Sequence, residues 1–291
     1  MVTKKKPPEL KVVDLERETL EQLQVVVRRF QADQRARIAA SNRFAAMVRY
    51  EIATKEEIAD PAGPYQAAMK SLEANERKQI APARKLLRSF QVWTQWMQHV
   101  RGVDYVLGAQ IIGSGLDYTR HHVSCWYRYA GLDVVKYEYP LLGEMGRAPR
   151  RVPNQKITWN PKLRTTMFNF ANCIERSGGA YKDRVYLPYK VRDRQLHPAP
   201  VETGEKSKKG EPIMLYTDGH IRQRAMRVTS KMFLSHLWQV WREIMGLPVN
   251  GPYPIERLGH TTVIDPWSMI EKKEPSSSRR TRKAERAIVE E

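Results

Sequence analysis

Cysteine is nearly missing: Cys125 and Cys173 are the only two in 291 residues. That is too few for a disulfide framework, and neither belongs to the paired CxxC spacing of a zinc site. A reducing compartment is expected. Long apolar runs are also lacking, since no stretch approaches the roughly 18 residues that span a bilayer. Met1–Leu10 carries charge but no apolar segment of a secretory signal, so secretion and membrane insertion are set aside. Sustained alternation of apolar and polar residues is missing as well, which argues against a large central sheet, and no internal repeat is visible.

Acidic charge is scarce relative to basic: 32 Asp and Glu against 50 Lys and Arg, a net +18. The arms hold little of this excess. Residues 1–13 contribute four lysines and one glutamate, and residues 271–291 seven basic and five acidic groups, which leaves +13 between them. Thirty of the basic residues are arginine, whose planar fork suits phosphate and guanine edges better than a point charge does. A polyanion, and nucleic acid in particular, is the expected partner.

Proline and glycine are missing from 14–58, where Leu20, Leu23, Val27, Phe30, Phe44 and Val48 recur at three and four spacing. This predicts one long amphipathic helix, interrupted on its seam by Gln34, Arg37 and Ser41, polar positions that in coiled coils set register or oligomer state. Asp60-Pro61-Ala62-Gly63-Pro64 reverses the chain. A second helix is predicted over 65–100 with the same rhythm through Ala83, Leu86, Phe90, Trp93, Met97 and Val100. The expected fold is mainly α. A flexible basic arm (1–13) leads into a helical hairpin (14–99) long enough to support a homo-oligomer contact. A compact helix-hairpin-helix-like domain (100–192), a mobile loop (193–219), a C-terminal helix with an extended wrap (220–270) and a flexible tail (271–291) follow. Within the compact domain, glycines punctuate short helices over 101–132, and 133–160 suits an irregular loop or short hairpin. Asn160-Pro161 opens a helix that Gly178-Gly179 ends.

Three groups of residues point to nucleic acid. Arg101, Gly102, Val103 and Tyr105 belong to a glycine-bearing turn with the layout of a helix-hairpin-helix, whose amides can receive a backbone phosphate, although Asp104 would repel one. On the predicted C-terminal helix, His220, Arg224, Arg227 and Lys231 fall at i, i+4, i+7 and i+11, a cationic face distinct from the Ile221, Ala225, Val228 stripe. Arg147, Arg150, Arg151, Lys156, Lys162 and Arg164 form a further basic cluster, with Trp159 available for stacking. Trp238 and Trp241 read as core. No metal site is expected, because His121, His122 and Cys125 lack a fourth partner. Ser114 is no nucleophile elbow, because no strand precedes it.

The ordered blocks Trp96 to Val103, Leu116-Asp117-Tyr118-Thr119-Arg120, Trp126 to Asp133, Gly146 to Arg151 and Asn160 to Arg164 resemble the C-terminal transposase domain of the insertion-sequence one-ten family, the DEDD-type, bridge-RNA-guided recombinases. The likeness covers about 96–190, and His220 to Pro248 resembles the closing helix of short relatives. It implies DNA binding in transposition or recombination, in the cytoplasm of a prokaryotic cell or of one infected by a virus. Complete members carry an N-terminal RuvC-like domain whose four carboxylates bind divalent metal, whereas this chain begins with helices. Members also place a serine nucleophile where 131–164 holds none, and Tyr139 is the counterpart position. No cofactor is evident, and Mg²⁺ enters only with a nuclease partner. Three classes follow: a DNA-binding transposase-like protein without its full catalytic set, an active recombinase using Tyr139 or a partner nuclease in trans, and an RNA-binding or structural nucleoprotein.

Overall fold

Helix α1 runs unbroken over Leu10–Arg49 and ends where Glu51 adopts a left-handed φ of 58°. The computed structural model describes residues 10–249 and 264–271, with side chains from residue 16 onward. The predicted arm, most of the wrap beyond Pro248 and nearly all of the tail lie outside the described residues. The predicted first helix stops nine residues early because Thr54 and Glu57 form a reciprocal capping box that starts a separate helix, α2 (Lys55–Ala59).

The predicted second helix is also corrected: it is divided into α3 (Pro64–Lys78), α4 (Ile80–Leu87), α5 (Gln91–Gln95) and a 3₁₀ turn at Met97–His99. Pro82 explains the first break, since it has no N–H to donate to the carbonyl of Lys78. The apolar rhythm still describes burial, with Ala83, Phe90, Trp93, Met97 and Val100 all buried. α1 and α3 pack antiparallel. Their polar seam is satisfied within the chain: Gln34 Nε2 and Arg37 Nε donate to Glu76 at 3.3 and 2.6 Å.

The compact region holds α6 (Tyr105–Ile112), α7 (Ser124–Tyr129) and a hairpin of β1 (Val135–Tyr139) and β2 (Gly143–Arg147). Helix α8 (Pro161–Ser177) begins at Asn160, whose carboxamide oxygen accepts from the amides of Lys162 and Leu163, and it ends at Gly178 with φ 77°. A π-helical turn at Lys182–Tyr186 leads into α9 (Leu187–Leu196).

The segment predicted as a mobile loop, 193–219, instead holds the end of α9 and an antiparallel pair, β3 (Val201–Lys206) and β4 (Pro212–Leu215). Its strands lack their own apolar alternation and are held by docking on the first hairpin. Leu141 N–H donates to the Thr203 carbonyl at 3.2 Å, and the buried Thr203 hydroxyl donates to the Ile213 carbonyl at 2.8 Å.

Helix α10 (Asp218–Ile244) is the spine of the molecule. Phe233 packs on Phe170 of α8 at 4.1 Å between ring centroids, and Trp241 stacks on Tyr118 at 4.8 Å with Phe90 and Trp126 edge-on. One apolar core joins these rings to Leu23 and Val27 of α1 and to Met269. Near the end of α10 the buried Arg242 guanidinium donates to the carbonyls of Tyr118, Arg120 and Pro248 at 2.7–3.1 Å. Three chain segments are thereby clamped without a carboxylate.

The same helix buries His236, whose Nδ1 is 2.8 Å from the Tyr181 hydroxyl. Burial pulls His236 down to about 4. The unfolded chain therefore binds a proton that the fold refuses, so stability is full above about pH 6.5 and falls as pH drops toward 4. The loss from this group is about 3 kcal/mol. Urea titrations of wild type and His236→Gln at pH 7 and pH 4 should show the variant losing about that much less. Equal losses would contradict the assignment.

Candidate nucleic-acid interface

Four chain segments that are remote in sequence meet at one cleft of about 570 Å³. β2 and the turn after it supply Arg147 and Arg150; the first turn of α8 supplies Arg164; the end of β4 supplies Leu215 and Tyr216; the first turns of α10 supply His220, Arg224 and Arg227. Tyr139 is in the wall, 4% exposed, among Leu215, Tyr216 and Ile221 and edge-on to Tyr137 at 4.9 Å. Its hydroxyl has no hydrogen bond among the described residues.

Each arginine is held differently. Arg147 lies over the Tyr137 ring at 3.1 Å from its centroid and 3.9 Å from Glu205, which also stands 3.9 Å from the more exposed Arg150. Tyr137 donates its hydroxyl to the same Glu205, which raises the phenol above its ordinary value. Arg164 donates to the Pro149 carbonyl at 2.7 Å and lies over Trp159 at 5.6 Å. Arg224 faces the buried Asp193 at 2.8 Å. Burial alone would lower Arg224, but Tyr189, Asp193 and Tyr216 outweigh it and hold its guanidinium above the ordinary value.

Arg227 differs from these, because it has neither an ion pair nor a hydrogen bond among the described residues. It is half-buried, and burial with Arg224 and Arg164 nearby pulls it below its ordinary value, only partly offset by Tyr189 and Asp133. Lys231, one turn further on, sits over the Tyr127 ring at 4.8 Å and is lowered by burial and by Arg227. The six cations on and behind the cleft thus meet three carboxylates, Asp133, Asp193 and Glu205.

His220 is a donor to the cleft. Its Nδ1 accepts the Tyr216 N–H at 2.8 Å, so the neutral ring carries its proton on Nε2. Burial, Arg224 and Arg227 push its pKa down, which keeps it neutral near pH 7. Tyr216 has a left-handed φ of 59°. Arg194 holds its carbonyl at 3.1 Å, and His197 stacks on its ring at 3.6 Å. A bulky residue in that backbone region is strained, and such strain clusters at working surfaces. Thr217 caps α10 at the same edge by accepting from His220 N–H, so the positive end of the helix opens onto the cleft.

Not every sequence candidate is here. Arg151 and Lys156 are exposed on the segment before α8, and Lys162 borders a separate groove with Gln24, Arg28 and Asn160. Arg101, Gly102, Val103 and Tyr105 stand apart. Gly102 has φ 88° and lies against α8, where an added Cβ would meet the Ser177 hydroxyl oxygen at 2.6 Å. Val103 is buried, Arg101 lies 3.6 Å from Glu271, and Tyr105 is covered by Arg84 at 4.4 Å. Asp104 accepts from Leu107 N–H at 2.8 Å, so a carboxylate already occupies the N-terminus of α6 that the turn was expected to offer to phosphate. The counter-charges Asp133, Asp193 and Glu205 and the aromatic Tyr216 carried no sequence signal beyond their type.

No cluster of three or more His, Cys, Asp or Glu suited to a metal is present among the described residues, and no helix there is long and apolar enough to cross a membrane. No family model matches the chain, and no curated protein matches it.

Arg224 holds a carboxylate that is 3% exposed, so its removal should expose a structural cost. Arg224→Ala is expected to lower stability by about 3 kcal/mol, with Arg224→Ala/Asp193→Asn recovering most of it in urea denaturation. A double variant as weak as the single would contradict the pairing.

Proposed function

We propose that this protein binds DNA through the arginine cleft and acts in transposition or recombination as a transposase-like protein without its full catalytic set. The observation that carries the reading is Arg227: a half-buried guanidinium with no ion pair or hydrogen bond among the described residues, in a cleft that it shares with Arg147, Arg150, Arg164 and Arg224. Burying an unpaired cation costs stability, and a bound phosphate offsets that cost. Recombinase ancestry draws support from convergence, since Gly131, Arg147, Arg150 and Arg164 come from three of the blocks that carry the family resemblance and border one cleft.

A second reading, strand transfer by Tyr139, is favoured by its place in the same wall with a hydroxyl that makes no hydrogen bond among the described residues. Against it stands His220, the imidazole in that cleft, whose free nitrogen bears a proton and cannot take one from the tyrosine. A partner nuclease with its own metal would supply chemistry that these residues lack.

Binding of duplex DNA, branched DNA and structured RNA across a salt series tests the reading. Arg227→Gln and Arg150→Ala should each weaken DNA binding and each reduce the slope of log K against log salt by about one. Unchanged slopes would remove the cleft from the function. Retention of RNA alone would replace DNA as the partner, and a covalent protein–DNA adduct lost on Tyr139→Phe would favour the second reading.

A further inference from the structure

The cations of the cleft are recessed in a way that a duplex surface does not require. Arg147 and Arg224 retain only 17% and 26% side-chain exposure, and Arg150, at 54%, marks the mouth. Below them the wall becomes aromatic and apolar at Tyr139, Leu215 and Tyr216, each under 9% exposed. The volume of this open cleft belongs to the range of roughly 300–1,000 Å³ that takes one small molecule, and an extended duplex would touch only its rim. Anion-binding groups beside an aromatic and apolar wall match one chemical class, a phosphate joined to a planar heterocycle.

Buried polar side-chain atoms that make no hydrogen bond point the same way. Of the seven such side-chain atoms among the described residues, only that of His99 lies elsewhere. The other six belong to Asp133, Arg147, Asp193, Glu205 and Arg224, in and behind the wall of this cleft; Asp193 Oδ2 and Arg224 Nε form an ion pair at 2.8 Å and Glu205 stands 3.9 Å from Arg147 and from Arg150, which leaves Asp133 Oδ1 and Arg147 Nε outside any ion pair. Native folds leave few such atoms without a reason, and a bound ligand is one. Arg147 Nε is a buried donor left open in the lining of the cleft, which a phosphate oxygen can satisfy.

We propose that the cleft receives a single unpaired nucleotide, displaced from or terminal to a strand, with its phosphate on Arg147, Arg150 and Arg227 and its base against Tyr139 and Tyr216. This rests on the nucleic-acid reading above and adds to it a preference for an unstacked base. The protein then contacts duplex DNA only beside a frayed end, overhang or flipped position.

The test uses the full chain and four probes: a blunt duplex, the same duplex with a short single-stranded overhang, the same overhang made abasic, and a free deoxynucleoside monophosphate as competitor. The base-bearing overhang should bind about tenfold more tightly than either the blunt or the abasic probe, the size expected when one base gains a stacking platform. Excess mononucleotide should compete, and 2-aminopurine in the overhang should change its emission on binding. Arg227→Gln should reduce this preference, and because the abasic probe needs no variant, the result does not depend on a mutant folding. Equal affinity for blunt and overhang probes, with a steep salt slope, would overturn the nucleotide pocket and leave DNA binding standing. Equal affinity for abasic and base-bearing overhangs would also overturn it, since phosphate alone would then account for binding. Failure to bind any probe would overturn both readings.

Discussion

The docking of α10 on α8 is the constraint from which the rest follows. Phe233 against Phe170, the Ser230 hydroxyl on the Met167 carbonyl at 3.1 Å and the Arg242 clamp fix both the rotation and the axial position of one 27-residue helix. With the apolar stripe committed to the core, the side chains roughly a third of a turn away are carried to the rim of that core, where water is only partly excluded. Arg224, Arg227 and Lys231 are therefore half-buried by the same packing that stabilises the fold. A small rotation of α10 would release them to solvent and dissolve the cleft.

That placement sets stability against function. Asp193 neutralises Arg224, and Glu205 stands between Arg147 and Arg150, but three carboxylates against six cations leave the cleft positive. The apolar core, with Trp96, Trp126 and Trp241 almost fully enclosed, offsets the residual repulsion. The two small hairpins complete the arrangement: the first carries Arg147 on its outgoing strand, and the second brings Glu205 to it.

Local chemistry made much of the fold legible. Asn160, Pro161 and Gly178 mark both ends of α8 because capping depends on neighbours within a turn, and the α10 stripe is a matter of period alone. The capping box at Thr54 and Glu57 and the break at Pro82 are equally local, and both outweigh the continuous periodicity that suggested two uninterrupted helices. The second hairpin is different. Thr203 and Leu215 are its buried residues, and the partner that buries them is another hairpin some sixty residues earlier, a distance over which single-sequence patterning carries nothing. For the site, arginine identity and the helical face were readable, but the meeting of Arg147, Arg150 and Arg164 with that face is a tertiary fact. So is the diversion of Asp104 into a cap, which closes the glycine turn as a phosphate site.

Photocrosslinking of an oligonucleotide carrying 5-iododeoxyuridine, followed by peptide mapping, locates the bound nucleic acid on the protein. If the arginine cleft holds the nucleic acid, adducts fall in the peptides spanning 131–150 and 211–231, at Tyr139, Tyr216 or their neighbours. Adducts confined to the turn at 97–105 or to α1, with the cleft peptides unmodified, would contradict it.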